Sequence, residues 1–166
     1  RLASAYNVLA VGLTTGRHST GGVPAELDGP GRIRPEIVAP LDFTSFSTAL
    51  TSSAGALLRA QADTIGPDAA RPETLKAVLL AGSTKDEFPG WSQSSTRPLD
   101  ALFGAGELNV LHSWRILTAG PREPGDVPAD AGWCLLALGA GQARTWRITI
   151  PADGKARGLS AVAVWH

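Results

Sequence analysis

Residues Thr44 to Leu58 open with hydroxyl side chains and continue almost wholly in small and aliphatic ones. Phe46, Leu50, Ser53 or Ala54, Leu57 and Leu58 recur at helical spacing, which predicts a helix with one apolar face. Because Ala, Ser, Thr and Gly fill the remaining positions, the helix is expected to be buried on most sides. Pro35-Glu36-Ile37-Val38-Ala39-Pro40 precedes it, and Ile33 to Ala39 reads as a strand ended by Pro40. Thr44 is the expected N-cap, since its hydroxyl suits an N–H of the first turn. Ser45 then falls in that turn, where unpaired backbone N–H groups and the positive end of the helix dipole favour developing negative charge. An acyl-transfer nucleophile is well served at such a position.

The composition excludes several classes. In 166 residues, 43% are hydrophobic and 18% charged, the balance of a globular protein with one core. Lys plus Arg equals Asp plus Glu at 15 each, so no net charge draws in nucleic acid or an acidic membrane surface. The longest apolar stretch, Trp133 to Leu138, is strand-sized and far short of a membrane span. Cys134 is the one cysteine, which rules out an internal disulfide and supplies no metal-binding spacing. Its apolar neighbours predict a buried, inert thiol. The chain begins at Arg1 and holds no methionine, as expected of an internal fragment.

Along the chain, Val8-Leu9-Ala10-Val11 predicts a strand buried on both faces of a parallel sheet and stopping at Gly12. Residues 14–33 are rich in turn formers, including Gly21-Gly22 and Asp28-Gly29-Pro30-Gly31. His18 in this stretch is expected to form hydrogen bonds or be solvated. A triad drawn from His18, Asp28 or Asp42, and Ser45 would need geometry that chain order does not supply. Arg71-Pro72-Glu73 predicts a helix start, Leu75, Val78 and Leu79 its buried face, and Gly82 its end. Ser83 to Arg97 reads as a surface loop anchored by Trp91. Leu108, Val110, Leu111, Trp114 and Leu117 predict a third helix stopped by Gly120-Pro121, with His112 as a surface or capping residue. Residues 122–131 read as a linker. Beyond it, 133–138, 145–150 and 159–165 carry strand patterns around a Pro151-to-Gly154 turn, too few to close a sandwich.

The order of these pieces resembles the nucleophile region of subtilisin-like serine proteases. That family's pattern runs Lys/Arg-Pro-Asp, two hydrophobic residues and Ala-Pro-Gly, then Gly-Thr-Ser-x-Ala-Thr-Pro and a small-residue helix. Tyr6 to Gly12 is similar to the family's strand ending in Val-Gly, and Gly104-Ala105-Gly106-Glu107-Leu108-Asn109 to the turn opening a late helix. The resemblance covers roughly residues 6–118 by these motifs. It implies a nucleophile at Ser45. It also implies an α/β fold: residues 1–121 as the C-terminal part of a subtilisin-like parallel-sheet domain, a linker at 122–131, and an incomplete β-sandwich-like domain at 132–166.

Among the departures from the pattern, Phe43 stands at the usual Gly and Ala49 at the usual Pro. The family's catalytic Asp and His and its oxyanion Asn lie ahead of Tyr6, so the implied partner is an N-terminal part of the same peptidase. The implied substrate is a peptide or protein. No cofactor is required, calcium is left without assigned ligands, and export is implied by the resemblance alone. A non-catalytic subunit that keeps the fold as a scaffold is the alternative.

Overall fold

The computed structural model of the chain describes residues 8–18, 33–126, 129–147 and 158–165. Two short apolar runs meet as parallel strands, β1 (Val11–Leu13) and β2 (Ile37–Ala39), in the register Val11 to Ile37 and Leu13 to Ala39. β1 starts later than the apolar pattern suggests and, instead of stopping at Gly12, runs through it to Leu13. Glu36 and Ile37 both donate their N–H to Ala10 O, while the Ala10 N–H goes to the Glu36 carboxylate, so regular pairing begins at Val11. Tyr6 and Asn7 lie outside the described residues.

On its other side β2 meets the stretch around Glu107. The Val38 N–H donates to Gly106 O at 3.0 Å and the Leu108 N–H to Val38 O at 2.8 Å, and Glu107 exchanges both backbone bonds with Thr84. Gly104 makes this approach possible. Its φ is +59°, and a Cβ there would overlap the Glu36 carbonyl group.

Three helices pack with the strands: α1 (Thr44–Ile65), α2 (Pro72–Gly82) and α3 (Val110–Thr118). Their starts and stops follow local chemistry. Pro72 lies in the first turn of α2 with Glu73 beside it. Asn109 caps α3 by accepting the His112 N–H. α2 and α3 come close because residue 82 has no side chain: a Cβ on Gly82 would lie 2.6 Å from the Ser113 nitrogen. Leu58 and Ala62 of α1, Val78 and Leu79 of α2, and Leu117 of α3 form one core cluster, and Ile37, Leu80 and Ala105 a second. Each large side chain fully buried there contributes about 1.5–3 kcal/mol.

α1 differs from the sequence expectation. The face turned to the protein is Ser47, Thr51, Ala54, Leu58 and Ala62, whereas Phe46, Leu50 and Leu57 are exposed. The helix is rotated so that its smaller side chains meet the sheet, which brings its backbone closer. The buried hydroxyls are satisfied locally: Ser47 Oγ donates to Ala39 O at 3.0 Å and Thr51 Oγ1 to Ser47 O at 2.9 Å. Among the described residues α1 is therefore not buried on most sides.

The expected C-terminal strands also differ. Among the described residues, 129–147 and 158–165 contain no strand, and only an isolated bridge joins Trp133 to Pro121. An alternating pattern supplies a face, but a ladder needs a neighbouring strand, and here side chains anchor the segment instead. Trp133 packs against the first cluster with its Nε1 donating to Leu117 O, Trp146 Nε1 donates to Arg122 O, and Val162 touches the second cluster. Residues 148–150 and the Pro151-to-Gly154 turn lie outside the described residues. No helix among the described residues is long and apolar enough to cross a membrane.

Candidate functional site at the start of α1

The connection from Pro40 to Phe43 carries the chain from the end of β2 into α1. Phe43, not Thr44, is the N-cap, with φ −131° and ψ 144°, and it makes no side-chain capping bond. Thr44 is the first helical residue. Leu41 folds back so that its N–H reaches Ala39 O, and this tight exit places the helix start one residue earlier in cap numbering than the hydroxyl pattern predicts.

Ser45 occupies the first turn and is exposed. The Phe46 and Ser47 N–H groups both donate to Phe43 O at 3.0 Å. Among the described residues neither the Ser45 N–H nor its Oγ has a hydrogen-bond partner. No acid in the first turn offsets the positive end of the helix. Phe43 and Phe46 flank the serine in an edge-to-face pair with centroids 5.5 Å apart, both rings largely exposed. Ser45 thus presents a hydroxyl and a backbone donor on an exposed helix end that also carries the Phe43–Phe46 pair.

Among the described residues, none of the candidates in the sequence supplies a base to Ser45. His18 is buried with both ring nitrogens committed: Nδ1 accepts the Leu13 N–H at 3.0 Å, and Nε2 lies 2.7 Å from Leu102 O. A nitrogen that accepts an amide hydrogen has no proton of its own, so Nε2 carries the proton and donates it to Leu102. His18 is a structural hydrogen-bonding residue. His112 is exposed on α3, Asp42 is exposed beside the N-cap, and Asp28 lies outside the described residues.

Three sets of polar residues hold the chain around the sheet without having stood out as catalytic in the sequence. Glu36 is buried, with Arg34 Nη1 at 3.0 Å and Lys76 Nζ at 2.8 Å from its Oε1, while Oε2 accepts the Ala10 N–H at 3.0 Å. This ion group links the residues that enter β1 and β2 to Lys76 of α2. An acid inside an otherwise apolar strand was its only signal. Asp100 is also buried and accepts the N–H groups of Ser92, Leu102 and Phe103. It shapes the loop whose Leu102 carbonyl receives His18. Asn109 works twice, capping α3 through Oδ1 and donating from Nδ2 to Thr84 Oγ1 at 2.9 Å.

Burial pushes the Glu107 carboxyl above its ordinary value, and Glu87 adds to the shift. Burial also lowers the Lys85 ammonium against the opposing effect of Asp86, and Nζ sits 5.2 Å from the Trp91 ring centre. Trp91 itself is an anchor, its Nε1 donating to Gly104 O at 2.9 Å. The Cys134 thiol is pushed up by burial and by Glu123 and Asp126, which disfavours the reactive thiolate.

A concavity of about 300 Å³ lies at the opposite end of α1, between Ile65–Ala69 and Pro121, Glu123, Trp133 and Leu135. The length of the helix puts it roughly 30 Å from Ser45. Among the described residues no group of three His, Cys, Asp or Glu side chains is arranged to hold a metal ion.

No protein-family model matches the chain, and no curated protein matches it. The chemistry of the start of α1 rests on its own residues.

Proposed function

We propose that this chain is the C-terminal, nucleophile-bearing portion of a subtilisin-like serine endopeptidase, with Ser45 as the nucleophile. The observation that carries the proposal is the state of Ser45: an exposed hydroxyl and an unpartnered N–H in the first turn of a helix entered from a buried parallel strand. Support comes also from the Gly104-to-Asn109 turn, which opens α3 with Asn109 as its cap. The two parallel strands with three helices are read as the C-terminal part of the larger sheet such an enzyme has.

In this mechanism Ser45 Oγ attacks a peptide carbonyl carbon while a base takes the hydroxyl proton. The carbonyl oxygen becomes an oxyanion, and the Ser45 N–H is one of its donors. Collapse expels the amine, which takes the proton back from the base, and leaves an acyl ester on Oγ. Water then adds and releases the acid. The base, the acid that orients it and the second oxyanion donor come from the N-terminal part of the same peptidase. No cofactor enters this chemistry.

A scaffold subunit that keeps the fold without catalysis is the second reading, and Phe43 favours it. The family's glycine leaves the approach to the serine open, whereas here a ring stands at that position and packs on Phe46. Hydrolysis of an unstructured protein by the intact polypeptide, with and without Ser45→Ala, separates the two. The endopeptidase reading expects a loss on the order of 10³-fold or more in kcat, and the scaffold reading expects no hydrolysis from either protein.

A further inference from the structure

The concavity at the C-terminal end of α1 takes no part in the chemistry of Ser45, and its lining is selective. Pro67, Pro121, Trp133 and Leu135 form its apolar walls. Free donors are scarce on them. Pro67 and Pro121 have no N–H to give. The Gly66 N–H goes to Ala62 O, the Trp133 N–H to Gly120 O and the Glu123 N–H to the Asp126 carboxylate. Trp133 Nε1 is committed to Leu117 O at 3.0 Å, so this residue offers the cavity ring surface and not a donor.

Negative potential reaches the same cavity from three sources. Asp68 and Glu123 line it and are exposed, and among the described residues neither carboxylate has a hydrogen-bond or ion-pair partner. Ile65 ends a helix of 22 residues with no basic residue in its last turn, so the negative end of the helix dipole stands at this mouth without a counter-charge of its own. The indole of Trp133 adds the electron-rich face of an aromatic ring. Arg122 sits between Pro121 and Glu123 in the chain but lies outside the lining: its Nη2 donates to Ala119 O, and its stem occupies the space a side chain at Gly132 would need.

We infer that this cavity binds a guanidinium group on an apolar stem, the side chain of an arginine carried by a peptide. A guanidinium has five N–H donors and no acceptor, which matches a lining of acceptors and ring surface. Its plane stacks on an aromatic face and pairs with carboxylates, while its stem covers apolar walls. An anion would meet two carboxylates and few free donors. The volume of about 300 Å³ is at the lower end of small-ligand sites, roughly 300–1,000 Å³, and suits one long side chain better than a folded segment. The site is roughly 30 Å from Ser45 along α1, so it stands apart from the catalytic reading.

The test is a calorimetric titration of the intact polypeptide with two acetylated, amidated tripeptides, one with arginine between two glycines and one with neutral citrulline in its place. A Ser45→Ala background prevents cleavage of the ligand and makes the result independent of whether Ser45 is reactive. Saturable binding of the arginine peptide is expected, at least about tenfold tighter than that of the citrulline peptide. Asp68→Asn combined with Glu123→Gln changes only exposed side chains and is expected to weaken it at least about threefold. Asp42→Asn, at the other end of α1, is expected to leave it unchanged. Equal affinity for the two peptides, no saturable binding by the folded protein, or a double variant that binds as tightly as its parent overturns the inference. So does an equal loss in Asp42→Asn, which would mean a diffuse charge effect and not this cavity.

Discussion

Ser47 Oγ donates to the Ala39 carbonyl at 3.0 Å, joining the first turn of α1 to the last residue of β2. Ser45 lies two positions earlier, and this bond is part of what holds the helix start at the end of the strand. Ala39 O also accepts the Leu41 and Thr14 N–H groups, so it is not orphaned when Ser47 is removed. Ser47→Ala is therefore expected to cost only about 1 kcal/mol, measured by urea unfolding. Ser47→Leu forces a larger side chain between helix and sheet and is expected to cost about 1–3 kcal/mol or prevent folding.

Removing the carboxylate at Glu36 is expected to be among the most damaging single changes. Glu36→Ala leaves two cationic side chains close together in a buried site and takes the acceptor from the Ala10 N–H. A loss of about 3–5 kcal/mol is expected in denaturant unfolding. A loss under about 1 kcal/mol would mean that solvent reaches this ion group freely.

α2 and α3 depend on the missing side chain at residue 82. Gly82→Ala places a methyl group against the Ser113 backbone, which cannot rotate away. The expected cost is about 1–3 kcal/mol. Ser113→Gly does not relieve it, because the closest atoms include the Ser113 nitrogen and Cα.

Glu107 makes stability depend on pH. Its folded-state value is raised by burial and Glu87, so the folded protein holds this proton more tightly than the unfolded chain does. The associated stability is fully present below the unfolded carboxyl range and is lost as pH rises through the folded value. Glu107→Gln is then expected to raise Tm at neutral pH and leave it unchanged well below the carboxylate range. Thermal melts across that range, with an unchanged Tm at neutral pH as the contrary outcome, decide it.

Much of the α/β arrangement was legible in the sequence because its signals are local. Pro72 and Glu73 announce α2, and Asn109 announces α3. Ser45 was placed in the first turn of α1 by the proline-ended strand and the hydroxyl run. What the sequence did not reveal depends on partners remote in the chain. The rotation of α1 depends on Ser47 and Thr51 having nearby carbonyl acceptors, whereas apolar periodicity groups the exposed Phe46, Leu50 and Leu57 with the buried Ala54 and Leu58. The commitment of His18 depends on Leu102, 84 residues away. Residues 133–138 carry a strand pattern, yet Trp133 instead seats its ring on the first core cluster, a choice set by the Leu117 carbonyl and not by alternation.

The central claim is that Ser45 is an activated nucleophile. Treating the intact polypeptide with a fluorophosphonate probe and mapping the adduct by peptide mass spectrometry tests it, with Ser45→Ala as the control. The account predicts an adduct on Ser45 that the variant lacks. A folded, intact protein with no adduct at Ser45 would contradict it and leave the fold as a scaffold.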